Sequence, residues 1–168
     1  MISCSRFIAL ACAGLLSLTT ATAQAQMHEH EHKAGSAAAA YSPGLGEIMA
    51  LQQMRHSKLW FAGRARDWPL AAYEIDELKE GFEDIGKFFP MHEGISLKPM
   101  LDVLTQKDIP ALARAIERRD RAAFTRAFDG LTADCNGCHR SAKHEFIHIR
   151  RPTALPYTNQ TFAPAGHK

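Results

Sequence analysis

The most specific chemistry in this chain is carried by Cys135, Cys138 and His139, in the run Cys135-Asn136-Gly137-Cys138-His139. C-x-x-C-H is the spacing of covalent haem attachment. On a helix the two cysteines lie about one turn apart on one side, so both sulfurs can reach the vinyl groups of a single porphyrin. His139, next along the chain, sets its imidazole over the iron as the proximal ligand. Asn136 and Gly137 are small and leave the macrocycle uncrowded. The expected cofactor is therefore one haem c, held by Cys135, Cys138 and His139.

Three other uses of the pair are weighed against this. A Cys135–Cys138 disulfide closes too small a loop to be a useful clamp. A thioredoxin-like dithiol comes with a βαβ pattern, which the chain lacks. A zinc site could recruit His144 and His148, which stand at H-x-x-x-H spacing. The gap from Cys138 to His144 is shorter than zinc-finger patterns use, however, and no second cysteine pair exists.

The compartment agrees with haem attachment. Residues 1–25 read as a secretory signal peptide: one cation at Arg6, an apolar run from Phe7 to Leu18, then small-x-small cleavage sites at Ala21–Ala23 and Ala23–Ala25. The apolar run is too short for a membrane-spanning helix. A lipoprotein site at Cys12 is the lesser reading, because the apolar stretch before it is short. Signal removal takes away Cys4 and Cys12 and leaves Cys135 and Cys138, so the mature chain is expected to be soluble and periplasmic. Residues 26–43, with His28, His30 and His32, read as a disordered lead-in; a weak metal site there is the minor alternative. Twenty basic against eighteen acidic residues leave a formal net charge of +2. With no basic stripe, nucleic acid is excluded as the default partner.

The face of the haem opposite His139 decides what the iron does. An occupied sixth site suits electron transfer, and an empty one admits small gases. Between about Gly44 and Gly63 a helix is expected on which Leu45, Met49, Gln53, His56 and Trp60 fall within roughly 40° of one line. Met49 and His56 are rival sixth ligands. Separated by about 10 Å along the axis, they cannot both serve one iron, and either can instead be core filler. Met54 points away from Met49. His144 and His148, placed beyond the motif on the helix of His139, are expected at the surface or near a propionate. Arg55, Lys58 and Arg64 are propionate-pairing candidates whose default is solvent.

The elements that must position these residues are helical. Asp67 and Pro69 mark a second helix start. It carries a seam of Ala71, Ile75, Leu78, Phe82, Ile85 and Phe89, with Glu74, Asp76, Glu77, Lys79 and Glu80 on the other face, and stops at Pro90. From Met91 to Pro110 a loop with one short helix near Pro99–Leu104 is expected. A third main helix follows to about Arg118, and Asp120 caps a fourth that carries Phe124, Ala127, Phe128, Leu131, Cys135 and Cys138. The tail from Arg151 is irregular. No strands and no repeats are expected. The reading is one all-α domain over residues 44–150, with a tail at residues 151–168.

CNGCH on a last helix, in the run LTADCNGCHRSAKHEF, resembles the haem-binding helix of the class II c-type cytochromes, the cytochrome c′-like family. LGEIMALQQMRHSKLWFAG followed by DWPLAAYEIDELKEGFED resembles a small secreted monohaem subgroup. The resemblance spans about Leu45 to Ile149. It implies an antiparallel four-helix bundle with haem near one end, and in low-spin relatives a first-helix Met as sixth ligand, for which Met49 is the match. The proline-rich region between the second and fourth helices departs from the pattern and implies a truncated third helix.

The leading expectation is a soluble electron carrier serving redox partner proteins, as a monomer or a homodimer. The alternative is a five-coordinate haem protein binding NO or CO. A periplasmic metal-handling protein built on the His28–His32 tail and the cysteine pair is the third. No paired carboxylates or nucleophile–base arrangement argue for an enzyme.

Overall fold

The computed structural model describes residues 41–164. Residues 1–25, read as a signal peptide and carrying Cys4 and Cys12, and the His28–His32 stretch lie outside the described residues. Within them the chain is all-α, apart from one two-residue hairpin.

Helix α1 runs Leu45–Ala65. Gly44 opens it, and the Glu47 carboxylate accepts the Gly44 N–H at 3.4 Å and the Tyr41 hydroxyl at 2.7 Å. Arg66 closes it in the left-handed region at φ 63°. After this two-residue turn α2 runs Trp68–Phe88, capped by Asp67, whose Oδ1 accepts the Leu70 N–H at 3.2 Å. The expected α2 seam is buried from Ala71 to Ile85. Glu74, expected on the solvent side, is instead 2% exposed, with Lys58 Nζ 3.9 Å away. Burial there pushes its carboxyl up. α1 covers the flank on which Glu74 stands, which heptad spacing alone leaves unassigned.

Polar ties set the α1–α2 register. Gln52 Nε2 donates to Leu78 O at 2.7 Å, and Arg55 donates to Glu77 O at 2.8 Å and to the Glu77 carboxylate at 2.6 Å. Gln52, not the exposed Gln53, is therefore the buried glutamine of α1. Gly81 makes room for it: a Cβ there would stand 2.3 Å from Gln52 Oε1.

The segment after α2 departs most from expectation. Met91–His92 (β1) and Ile95–Ser96 (β2) pair antiparallel around Glu93 and Gly94, both at positive φ. Two residues per strand are too few to show alternation in a sequence. Helix α3 (Lys98–Val103) then continues without a loop through a π-helical stretch, Leu104–Asp108, into α4 (Ile109–Glu117). The Ile109 N–H reaches back five residues to Leu104 O. The widened turn carries the chain past Pro110, which has no N–H to give. The third helical element is therefore not truncated, and helix spans Lys98–Glu117.

Asp120 caps α5 (Arg121–Ser141), accepting the Ala123 N–H at 2.9 Å. α1 packs on α2 and α5, and α4 packs on α2 and α5. Phe124, Phe128 and Leu131 of α5 are fully buried between them. Helix α5 stops where Lys143 turns to φ 60° and the His144 N–H returns to His139 O at 2.7 Å. This helix-ending motif corrects the expectation that His144 and His148 share the helix of His139. From there to residue 164 the chain forms no regular helix or strand. It is still anchored, with Phe162 buried and its ring 5.8 Å from Phe61. Among the described residues no helix is long and apolar enough to cross a membrane.

Candidate functional site

One cavity of about 390 Å³ opens between α1, α2, α3 and α5, within the roughly 300–1,000 Å³ typical of cofactor pockets. Leu78, Phe82, Ile85, Leu97, Leu101 and Leu104 form much of its wall, and among the described residues no Asp, Glu, Lys or Arg lines it. Cys135, Cys138 and His139 line it from α5, and Met49 and His56 line it from α1. Five residues that the sequence singled out thus meet at one space.

Both cysteines are unpaired. Burial pushes the Cys135 thiol up to about 12, with Cys138 beside it adding to the effect, and burial raises Cys138 as well. Thiols held neutral this way are poor redox dithiols and poor thiolate ligands. Among the described residues no three His, Cys, Asp or Glu side chains gather as a metal cluster.

His139 is 7% exposed, and its Nδ1 lies 2.8 Å from Ile147 O. A carbonyl only accepts, so Nδ1 carries a proton, and in the neutral ring Nε2 then keeps a free lone pair. That is the tautomer a metal-ligating imidazole needs, steadied by an outer partner.

His56 is held differently. Its ring lies 4.4 Å from the Phe128 ring, and its Nε2 is 2.9 Å from Thr132 Oγ1. Thr132 gives its only hydroxyl proton to Phe128 O at 2.8 Å, so His56 Nε2 must be the donor. Burial lowers its pKa to about 4 and keeps the ring neutral.

These contacts also give the register of α1 against α5. His56 meets Thr132, Trp60 lies 4.9 Å from Phe128, and a Cβ on Gly63 would strike the Phe124 ring at 2.1 Å. Moving up α1 moves down α5 step for step, so the helices are antiparallel, and the Phe124 ring packs directly onto the Gly63 backbone. Seven residues back from His56 is Met49, and seven residues on from Thr132 is His139. At 1.5 Å per residue on both helices, Met49 stands level with His139, and His56 lies about 10 Å deeper.

The cationic candidates are elsewhere. Arg55 is tied to Glu77, Lys58 lies near Glu74 and over the Tyr157 ring, and Arg64 lies over Trp60; none lines the cavity. The polar wall comes instead from Gln52, Gln53, His92 and His144, the two histidine rings 5.4 Å apart. His92 was not legible in the sequence, because only the β1–β2 hairpin brings it to the cavity.

No family model, no curated protein and no solved structure matches this chain.

Proposed function

We propose that this chain is a periplasmic, secreted monohaem c-type cytochrome of the cytochrome c′-like kind, acting as an electron carrier. The observation that carries the reading is a single apolar cavity lined by Cys135, Cys138 and His139 on one wall and by Met49, at the level of His139, on the other. The residues fit the group in donor chemistry: two neutral thiols for thioethers, an imidazole with Nε2 free, and a wall without charge. Bound there, haem c supplies a one-electron ferric–ferrous couple. Cys135 and Cys138 would tether it, and His139 Nε2 and the Met49 thioether would be the side chains that hold its iron. The apolar walls exclude water, which limits rearrangement when the charge changes. The packing supports an antiparallel four-helix bundle in which α3, the π stretch and α4 act as one helix. Redox partner proteins exchange electrons with it, and both a monomer and a homodimer satisfy this reading.

Production in a host competent in haem attachment tests this. A red protein is expected, whose haem stays bound after denaturation and whose Cys135–His139 peptide carries the added mass. A colourless product sinks the reading. The gas-binding alternative has one observation in its favour: His56 is committed to Thr132, so only a thioether stands opposite His139. If CO or NO shifts the Soret band of the reduced protein at once, Met49 is not a ligand and the alternative holds.

A further inference from the structure

We propose that Asn136, between the two motif cysteines, is a positioning residue that tunes the His139 imidazole by pinning the returning chain. This rests on the haem reading above. Asn136 is 8% exposed, and its carboxamide is spent twice on one backbone residue: Nδ2 donates to Ile149 O at 2.8 Å, and Oδ1 accepts the Ile149 N–H at 2.8 Å. Two bonds in opposite directions hold the two peptide groups that flank Ile149, as a bridge between two strands does. Two residues earlier, Ile147 O is the acceptor for His139 Nδ1 at 2.8 Å. Asn136 and His139 are three apart on α5 and so project from one face, where they grip Ile149 and Ile147 together. The stretch from Lys143 to Ile149 belongs to no helix or strand, and its other internal backbone tie near this point is Ile147 N–H to His144 O at 2.9 Å. Arg151, two residues beyond Ile149, ties the same segment to Asp129 on α5, and Asn136 is the tie nearer the carbonyl that orients His139.

The consequence is electronic. An imidazole whose Nδ1–H is held by a carbonyl is a stronger donor at Nε2, and a stronger donor favours the ferric over the ferrous state. Freeing Ile149 loosens Ile147 O, weakens that hydrogen bond and moves the balance toward ferrous iron.

The experiment is a spectroelectrochemical titration of the full, haem-loaded protein and of two variants at opposite ends of the clamp. Asn136→Ala removes both side-chain bonds. Ile149→Pro removes the N–H that Asn136 accepts and leaves the motif helix untouched, so it serves if Asn136→Ala matures poorly. Both are expected to raise the ferrous-to-ferric ratio at fixed ambient potential about tenfold, or about 59 mV for a one-electron couple. A merely structural role would lower thermal stability and leave the potential alone. A colourless wild type overturns the haem reading itself. A red wild type with variants at its own potential, or shifted downward, overturns this inference alone.

Discussion

Met49→Leu and His56→Ala should separate coordination from stability in opposite ways. Met49 stands level with His139, whereas His56 lies about 10 Å deeper, with its Nε2 proton already given to Thr132. Met49→Leu keeps the volume of a half-buried residue packed against the core, so it should cost less than about 1.5 kcal/mol. It removes the one thioether that lines the cavity among the described residues and should convert ferric iron from low spin to high spin. His56→Ala removes a ring that is 5% exposed and lies 4.4 Å from Phe128, together with a 2.9 Å hydrogen bond. The bond contributes about 1 kcal/mol and the cavity left by the ring about 2 kcal/mol, so a loss of about 3 kcal/mol is expected. Thr132 keeps its bond to Phe128 O, so no donor is orphaned and the iron spectrum should stay as in the wild type. Low-temperature EPR of the ferric forms, beside urea unfolding, reads both quantities. The register argument is refuted if His56→Ala abolishes the low-spin signal while Met49→Leu preserves it.

Gly63→Ala should cost about 3 kcal/mol in denaturant unfolding, because the new methyl would stand 2.1 Å from the buried Phe124 ring. His56 has a folded pKa of about 4 against an ordinary 6.5, so the unfolded chain binds the extra proton. The stability from the neutral ring is complete above pH 6.5 and lost as pH falls toward 4, by about 3 kcal/mol; a His56→Gln variant should lack this loss. Asp108 behaves oppositely. Burial, with Asp134 beside it, pushes its carboxyl up to about 6, and its Oδ2 has no hydrogen-bond partner. The native state holds that proton more tightly, so stability falls as pH rises from about 4 through 6, and Asp108→Asn should raise the unfolding midpoint at pH 7.

Legibility followed the range of the interactions. Helices α1, α2, α4 and α5 could be read because capping and hydrophobic period are local: Asp67 and Asp120 cap where their types predict, and the α2 seam buries as spaced. Local rules failed at Pro110, where proline suggested a loop giving way to a new helix and the backbone instead ran through by widening one turn. They failed at Glu74 and Gln53, because the flank of a helix that becomes covered depends on which neighbour arrives. They failed again at Lys143, a non-glycine residue that takes a left-handed turn and redirects His144 to the cavity rim.

The motif residues are the clearest division between the two levels. Cys135, Cys138 and His139 are close in the chain, so one helical turn is enough to group them, and their spacing alone carries the expectation of haem attachment. Whether Met49 or His56 stands opposite them is a question of register between helices whose facing residues are some 90 positions apart. The close approach of Gly63 to Phe124 and the hydrogen bond from His56 to Thr132 set that register. Neither contact has a local signature, because each exists only once two separate helices have packed. The same holds for Asn136, which reads as a small spacer in the sequence and becomes a clamp only when the chain returns to place Ile149 against it.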